Sequence, residues 1–370
     1  FSVHDELILI PGSTAARRQL VATASEFLDR LSADPSADDA LRCEMGQAYI
    51  RLGDALGYHY APNLGDIQGA LDAYDRGLAL LVTLPPAVLQ APEAQFALAC
   101  GLIHRTSVLM YERQEAGEVR REVEDGRKML EALLAEDPTD SVVVAEVIRS
   151  AQRYAMLHKY PDEVHEKLRL LEAADALAVE VSPDAPSIPA VLAGRADIPH
   201  WSGYTRFELC LAEGVEASEQ ALEFCRLTLE QAPGDPQARY IRASVLANLS
   251  KWYASAGQRE EALSNSQESL KSIRSLSNDD ALDLRSFRSR GVLEDFAGDV
   301  RMDLARAALR AGHTEVAKND LRLALQHFQT PLDILNQRRD RGWLYPWEGA
   351  YPDEPANDID ACKAMLADLP

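Results

Sequence analysis

The sequence is interrupted at regular intervals by residues that end helices. The breaks fall at Pro35, Pro86, Pro138, Pro183, Pro233, the polar cluster 277–280 and Pro331, with successive gaps of 51, 52, 45, 50, 44 and 54 residues. Proline cannot continue a helix, and the Asp, Ser and Thr residues beside these breaks can cap the next one. Because apolar residues recur at helical spacing between the breaks, a period of about 50 residues predicts stacked helical hairpins.

The repeated units resemble tetratricopeptide (TPR) repeats, some of them lengthened. The unit spanning 243–274 carries small and apolar residues at helical spacing around a central glycine, namely Leu246, Leu249, Tyr253, Gly257, Ala262 and Ser266. The next unit repeats the pattern with Leu304, Ala308, Gly312, Ala317, Leu321 and Ala324. Glycine permits a tight turn, and small residues let two helices approach closely. We therefore expect an all-α fold, a right-handed α-solenoid of about six TPR-like hairpins with terminal capping helices.

Three segments are predicted along the chain. Residues 1–35 are predicted to form an N-terminal lead-in and capping helix, and residues 36–331 the repeat array. Four prolines between 183 and 200 predict an irregular insertion, with the helix resuming near Trp201. Residues 332–370 are predicted to form an aromatic loop, which covers the last repeat or anchors a partner, and a capping helix from about Asn357 to Leu366.

Composition excludes several classes of function. The chain has 38 Lys and Arg against 59 Asp and Glu, a net charge of −21, which argues against nucleic acid or an anionic membrane surface as partner. Its five cysteines are spread singly, so neither a disulfide framework nor a structural zinc site is predicted. No apolar run is long enough to span a bilayer. Because the chain starts at Phe1, without Met or a signal-like region, we interpret it as part of a longer protein.

No catalytic motif is present in the sequence. It lacks a phosphate-binding glycine loop, an HExxH helix and the catalytic sequences of protein kinases. We therefore predict that this segment is not an enzyme and binds no metal or cofactor.

Candidate binding residues fall in two groups. Cationic residues recur on the first helices of the hairpins, which line the concave groove in TPR arrays: Arg51, Arg105, Arg149, Arg153, Lys251, Arg306 and Arg310. They form either a strip that binds carboxylates of a peptide or a solvated surface paired with nearby acids. The second group lies in the loop 58–66, where Tyr58, His59, Tyr60 and Asn63 either grip a ligand or shape a compact loop.

Residues 4–80 resemble a more specific family. The matching segments are HDE at 4–6, LIPGSTAAR at 9–17, ASEFLDRL at 24–31, RLGD at 51–54, PNLGD at 62–66 and GAL at 69–71. In this order they resemble the start of the TPR region that follows the kinase domain in bacterial transmembrane serine/threonine kinases of the eukaryotic-like type. The chain departs from the family's usual loop by having Tyr58, His59 and Tyr60 before Ala61 and Pro62.

The resemblance implies a non-catalytic sensing or interaction region on the periplasmic side of a single-pass membrane protein. Its partner would be a peptide, protein or small ligand, with self-association as a further way to regulate the kinase. ATP and Mg²⁺ would belong only to the kinase domain, and membrane contact only to an upstream span, both outside this chain. A stand-alone TPR scaffold or assembly factor and the sensor half of a membrane transcriptional regulator remain alternatives. Unpaired cysteines fit a reducing compartment slightly better than the periplasm.

Overall fold

The structure is a computed structural model that describes residues 6–8, 10, 12–34, 36–58, 63–109, 116–158, 163–181, 189–209, 211–280, 282–340 and 354–369. Regular structure in these residues is entirely helical. The helices are α1 (Thr14–Ser32), α2 (Asp39–Gly57), α3 (Ile67–Val82), α4 (Pro86–Leu89), α5 (Pro92–Leu109), α6 (Ala116–Glu136), α7 (Ser141–Met156), α8 (Val164–Val181), α9 (Pro189–Glu208), α10 (Gly214–Gln231), α11 (Pro236–Ser255), α12 (Arg259–Asp279), α13 (Leu284–Arg310), α14 (Thr314–Asp340) and α15 (Glu354–Ala367).

The helices pair as six helical hairpins, which confirms the predicted all-α repeat array. The pairs are α2–α3, α5–α6, α7–α8, α9–α10, α11–α12 and α13–α14. Each first helix also packs against the first helix of the next hairpin, so α2, α5, α7, α9, α11 and α13 together line one face of the array. We call this face the inner face. Helix α1 packs on α2, and α15 packs on α14.

Local sequence determines where several of the hairpin helices start. Aspartates cap the first turns by accepting backbone N–H bonds, as the Asp140 carboxylate does from Val142 and Val143 at α7. The same role falls to Asp38 at α2, Asp66 at α3, Asp235 at α11 and Asp283 at α13. Proline occupies the first turn of α11, where its missing N–H costs no helical bond.

Glycine makes the tight turns in the two best-matching hairpins. Gly257 and Gly312 have φ angles of +77° and +79°, in the left-handed region that glycine enters without strain. The small residues after them are buried as expected, with Ala262 and Ala317 both 0% exposed. These turns therefore bring each pair of helices into close contact.

Two predicted helix breaks are wrong. Pro331 lies inside α14, which continues to Asp340, so the array does not end at residue 331. Residues 189–200, predicted to be irregular, belong to α9, and Pro199 lies within that helix. A proline costs the helix one hydrogen bond and a local clash, and burial of the surrounding residues outweighs this cost. Ile198 and His200 beside Pro199 are buried, as is Pro331 itself.

The array closes on itself where its start meets the beginning of α13. The backbone N–H of Thr14 donates to the Asp280 carboxylate over 2.9 Å, across 266 residues of sequence. Arg17 is 3% exposed, and its charge interacts with Asp280 and Asp283. Gly65, with a φ of +76°, lies so close to Leu284 that a Cβ there would sit 2.3 Å from a Leu284 methyl carbon. We call this contact the seam.

The described cysteines are all buried thiols without a disulfide: Cys43, Cys100, Cys225 and Cys362. Among the described helices, none combines the length and apolar character needed to cross a bilayer. The aromatic tract 343–351 and the loop residues His59 and Tyr60 lie outside the described residues.

Candidate functional site: an inner-face cavity above a buried ion network

A cavity of about 930 Å³ opens between α2, α5 and α7 on the inner face. Its wall is largely apolar, with Ile8, Ile50, Phe96, Leu133 and Val143 among the residues that line it. A volume of this size is typical of pockets that hold small molecules or a few side chains of a peptide.

His104 of α5 lies in the floor of the cavity, between two carboxylates. Its Nδ1 is 2.7 Å from an Asp54 oxygen of α2, and its Nε2 is 2.9 Å from a Glu146 oxygen of α7. His104 and Glu146 are buried, with 6% and 4% exposure. The imidazole therefore links the first helices of three successive hairpins.

Further charged and polar groups satisfy the two carboxylates. Arg153 donates to Glu146 over 2.5 Å, and Arg149 donates to the other Glu146 oxygen over 3.0 Å. The Tyr74 hydroxyl donates to Asp54 over 2.7 Å. We call Asp54, His104, Glu146, Arg149 and Arg153 the ion network. Its three cationic groups and two carboxylates nearly balance, as a buried cluster of charges requires.

Tyr58 covers one side of this network. Its ring stacks on His104 with centroids 4.2 Å apart, and the Arg153 guanidinium lies 4.8 Å from the centre of the same ring. Asn63 holds the loop that follows: its side-chain amide donates to the Tyr58 carbonyl, and its oxygen accepts from the Gly65 N–H. Tyr58 and Asn63 therefore help to hold the site in shape.

The network shifts the ionisation of its own members. Burial alone would lower the pKa of His104, but Asp54 and Glu146 outweigh it and raise that pKa to about 10. Burial opposes ionisation of Glu146, yet Arg149 and His104 lower its pKa to about 2. Burial lowers the pKa of Arg153. At neutral pH the floor of the cavity therefore consists of fixed charges that satisfy one another.

Asp197 of α9 extends the charged row along the inner face. It is 7% exposed and accepts a hydrogen bond from the Gln237 side chain over 3.1 Å. Burial raises the pKa of Asp197 to about 6, although Arg285 and Arg153 oppose the shift.

Cys100, His104 and Glu146 offer ligand atoms within 4.8 Å of one another, and no other such group occurs in the described part of the chain. Their residue types suit zinc. However, both nitrogens of His104 are bonded to carboxylates, and two arginines form ion pairs with Glu146. Bringing in a divalent cation would displace the His104 proton and place the cation beside two positive charges. The arrangement thus fits an ion network better than a metal centre.

The exposed part of the cavity wall is acidic. Glu93 at the start of α5 and Glu136 at the end of α6 line it, and both are exposed. Neither carboxylate has a hydrogen-bond or ion-pair partner among the described residues. Asp137 and Asp140 lie beside them, bonded to the turn at Thr139 and to the start of α7.

The structure brings together only some of the cationic residues that the sequence singled out. Arg51 and Arg149 line the cavity, and Arg153 lies beneath it. Arg105 bonds Asp75 and Glu122, Lys251 bonds Asp299 over 2.8 Å, and Arg306 bonds Asp303 over 2.9 Å. Arg310 is exposed in the last turn of α13.

Sequence reasoning missed Asp54, His104 and Glu146 as members of one site. One signal for Glu146 was present: it interrupts the apolar run VVVAEVI at 142–148 and shares a helical face with Arg149 and Arg153. A lone charge in such a run indicates a buried partner. For Asp54 and His104 the sequence carries no comparable signal, because their partners lie on other hairpins.

Comparisons with known proteins give no family for this chain, only similarities to solved structures at low identity. No protein-family model and no curated protein matches the chain. It is similar to a solved circular tandem repeat protein, with 13% identity, a TM-score of 0.29, and coverage of 96% of this chain and 90% of that chain. It is also similar to human IFIT1, solved as a dimer with m7Gppp-AAAA, with 13% identity, a TM-score of 0.32, and coverage of 96% and 78%. At these values no ligand or activity transfers to this chain.

Proposed function

We propose that this chain is a non-catalytic binding module whose inner-face cavity takes a peptide segment with apolar and positively charged side chains. The observation that carries the proposal is the cavity of about 930 Å³, with an apolar wall and the unengaged carboxylates of Glu93 and Glu136 at its exposed edge. Apolar side chains of the peptide would be removed from water by packing against the wall, and its Lys or Arg side chains would form ion pairs with the two carboxylates.

The floor of the cavity favours this choice of ligand over an anionic one. Arg149 is already bonded to Glu146, so its charge is compensated inside the protein. The acidic residues that line the cavity outnumber its cationic residues: Asp54, Glu93, Glu136, Asp137, Asp140 and Glu146 against Arg51, His104 and Arg149. A cationic segment therefore gains more electrostatic binding energy in this cavity than a carboxylate would. The negative charge of the chain as a whole also attracts it.

We further propose that the module is the extracytoplasmic sensing region of a bacterial receptor-type serine/threonine kinase. The resemblance of residues 4–80 supports this assignment, and one structural contact suggests how binding is transmitted. Ile8 lines both the cavity and the small pocket at the seam. A ligand that binds better to one seam arrangement than the other shifts the population between them. Such a module needs no cofactor of its own.

Peptide selection tests the binding proposal. The purified chain, used to select from a random peptide library, is expected to enrich Lys or Arg next to apolar residues. Replacing both Glu93 and Glu136 by Gln should weaken a selected peptide about tenfold, since two charge contacts at a partly exposed site are lost. The matched control is the double change of Glu260 and Glu261 to Gln, on the distant exposed start of α12. Enrichment of acidic peptides, or equal weakening in both double variants, would contradict the proposal.

A separate experiment tests regulation. In the full-length protein, the Glu93→Gln, Glu136→Gln double variant should lose the peptide-dependent change in kinase autophosphorylation while basal activity is retained. If removal of the whole array leaves kinase output and its response unchanged, the sensing role is wrong, while the peptide-binding result stands. That outcome would favour the stand-alone scaffold.

A further inference from the structure

A second cavity, of about 530 Å³, lies between α12 and α14 with α13 behind it. Six polar side chains line it, and all of them can donate hydrogen bonds: Ser266, Gln267, Lys271, Arg274, Arg301 and His327. None of the described residues that line it is acidic. We propose that this cavity, which we call the donor pocket, binds a phosphate group, either as the free anion or on a small molecule.

Two buried carboxylates behind the pocket hold its cations in place. Glu294, 1% exposed, accepts two bonds from Arg274, over 2.7 and 2.9 Å, and lies 3.0 Å from Nδ1 of His327. Asp320, 0% exposed, accepts one bond from Arg301 over 2.9 Å and two from Arg259. Positioned guanidinium groups lose little conformational entropy when they bind an anion, so these contacts prepare the pocket.

The bonds to the carboxylates leave donors unused. A guanidinium has five N–H groups; the bonds to Glu294 use the Nε and one other nitrogen of Arg274, and Arg301 gives one nitrogen to Asp320. Lys271 is 80% exposed and lies 3.9 Å from Glu268, whose nearer partner is Arg242 at 2.8 Å. The donors come from three helices and therefore approach from different directions. That arrangement suits the four oxygens of a tetrahedral anion better than the planar pair of a carboxylate.

The local charge also favours an anion. Five positive charges lie around the pocket, those of Arg242, Arg259, Lys271, Arg274 and Arg301, against the three negative charges of Glu268, Glu294 and Asp320. This excess occurs in a chain whose net charge is −21. A localised positive pocket in an acidic protein concentrates small anions while the surrounding surface repels polyanions such as nucleic acid.

Calorimetric titration with inorganic phosphate, pyrophosphate and glucose 6-phosphate, at constant ionic strength, tests the proposal. We expect one site per chain and a loss of about tenfold in affinity for Lys271→Glu, since a charged donor becomes a repelling group. The matched control is Lys128→Glu on α6, which changes the net charge equally at an exposed lysine far from the pocket. It should stay within about twofold of the wild type.

A second variant guards against misinterpretation of the first. Arg301→Gln keeps an amide donor near Asp320, which retains both of its bonds from Arg259. It should also weaken phosphate binding about tenfold, in a protein that a thermal unfolding scan shows to be still folded. Tighter binding of glucose 6-phosphate than of phosphate would assign the site to a phosphorylated small molecule, and the reverse order to the free anion. Absence of binding by all three probes, or equal weakening by Lys271→Glu and Lys128→Glu, would overturn the proposal.

Discussion

Glu146 shows how a single charged residue can organise the inner face. It lies on an otherwise apolar stretch of α7, and its carboxylate is bonded to Arg149, Arg153 and His104. Removing one partner of a buried ion pair leaves the others without compensation in a medium that solvates them poorly. The same residue on the surface would contribute little.

Glu146→Gln is therefore expected to lower the free energy of unfolding by about 3 kcal/mol, because the buried His104 and Arg153 both lose the carboxylate that they bond. Asp75→Asn is the comparison, since Asp75 is 57% exposed and pairs with Arg105 at the surface. That change should cost less than about 1 kcal/mol. Urea unfolding of both variants measures the two values. Equal losses would show that the buried network contributes no more to the free energy of unfolding than a surface ion pair does.

His104 predicts a pH dependence with a definite sign. Its pKa is raised to about 10 in the folded chain, so its contribution to stability is complete below the unfolded value of about 6.5 and is lost as pH rises towards 10. The stability difference between the wild type and His104→Gln should accordingly shrink between pH 6.5 and pH 10. Urea unfolding at several pH values measures it. A difference that stays constant or grows over this range would mean that His104 is neutral in the fold.

At the scale of elements, glycines within one hairpin have opposite roles. Gly312, with a φ of +79° and open space around it, makes the turn between α13 and α14. Gly291 lies inside α13, where an added Cβ would meet Ile334 at 3.4 Å, an ordinary contact distance. The same substitution should therefore have opposite effects at the two positions.

Gly312→Ala is expected to destabilise the protein by about 1 kcal/mol, because an L side chain strains the left-handed backbone. Gly291→Ala is expected to stabilise it by up to about 1 kcal/mol, since alanine has the higher helix propensity. Thermal and urea unfolding of the pair measure both changes. The two substitutions having the same sign would contradict the assigned turn geometry.

These elements also show what sequence can predict. The turns at Gly257 and Gly312 and the small residues after them follow rules that act within one hairpin, so the array and its six hairpins were predictable. Pro331 and Pro199 were misjudged because the cost of a proline is local, whereas the burial that outweighs it comes from neighbouring helices. The pairing of His104 with Asp54 and Glu146 spans 50 and 42 residues. Only the stacking of three hairpins brings such residues together.

At the scale of the whole molecule, the seam holds the two ends of one turn of the array together. Thr14 and Arg17 meet Asp280 and Asp283 there, and Gly65 contacts Leu284. Arg17 is the only one of these residues whose charge faces both aspartates in the described contacts. We therefore expect these few contacts, as well as packing between neighbouring hairpins, to set the curvature of the array.

Arg17→Ala is expected to open the seam without loss of helix, because Asp280 and Asp283 lose the buried positive charge that ties them to α1, although Asp283 keeps the charge of Arg285. Small-angle X-ray scattering should show an increased maximum dimension, and hydrogen exchange should accelerate at 14–32 and 276–290. Arg30→Ala is the control, since Arg30 lies exposed on the same helix. An unchanged scattering profile in Arg17→Ala would show that hairpin packing alone sets the curvature.

The seam also changes how disorder can spread through the molecule. A linear repeat array frays from both ends, because each terminal repeat has a neighbour on one side only. Here the first hairpin has two neighbours: the next hairpin along the chain and, across the seam, the start of α13. We therefore expect thermal fraying to begin at the α15 end, so that the donor pocket between α12 and α14 should lose its shape before the inner-face cavity does. The two cavities would thus respond to heat in sequence, although they belong to one continuous stack of helices.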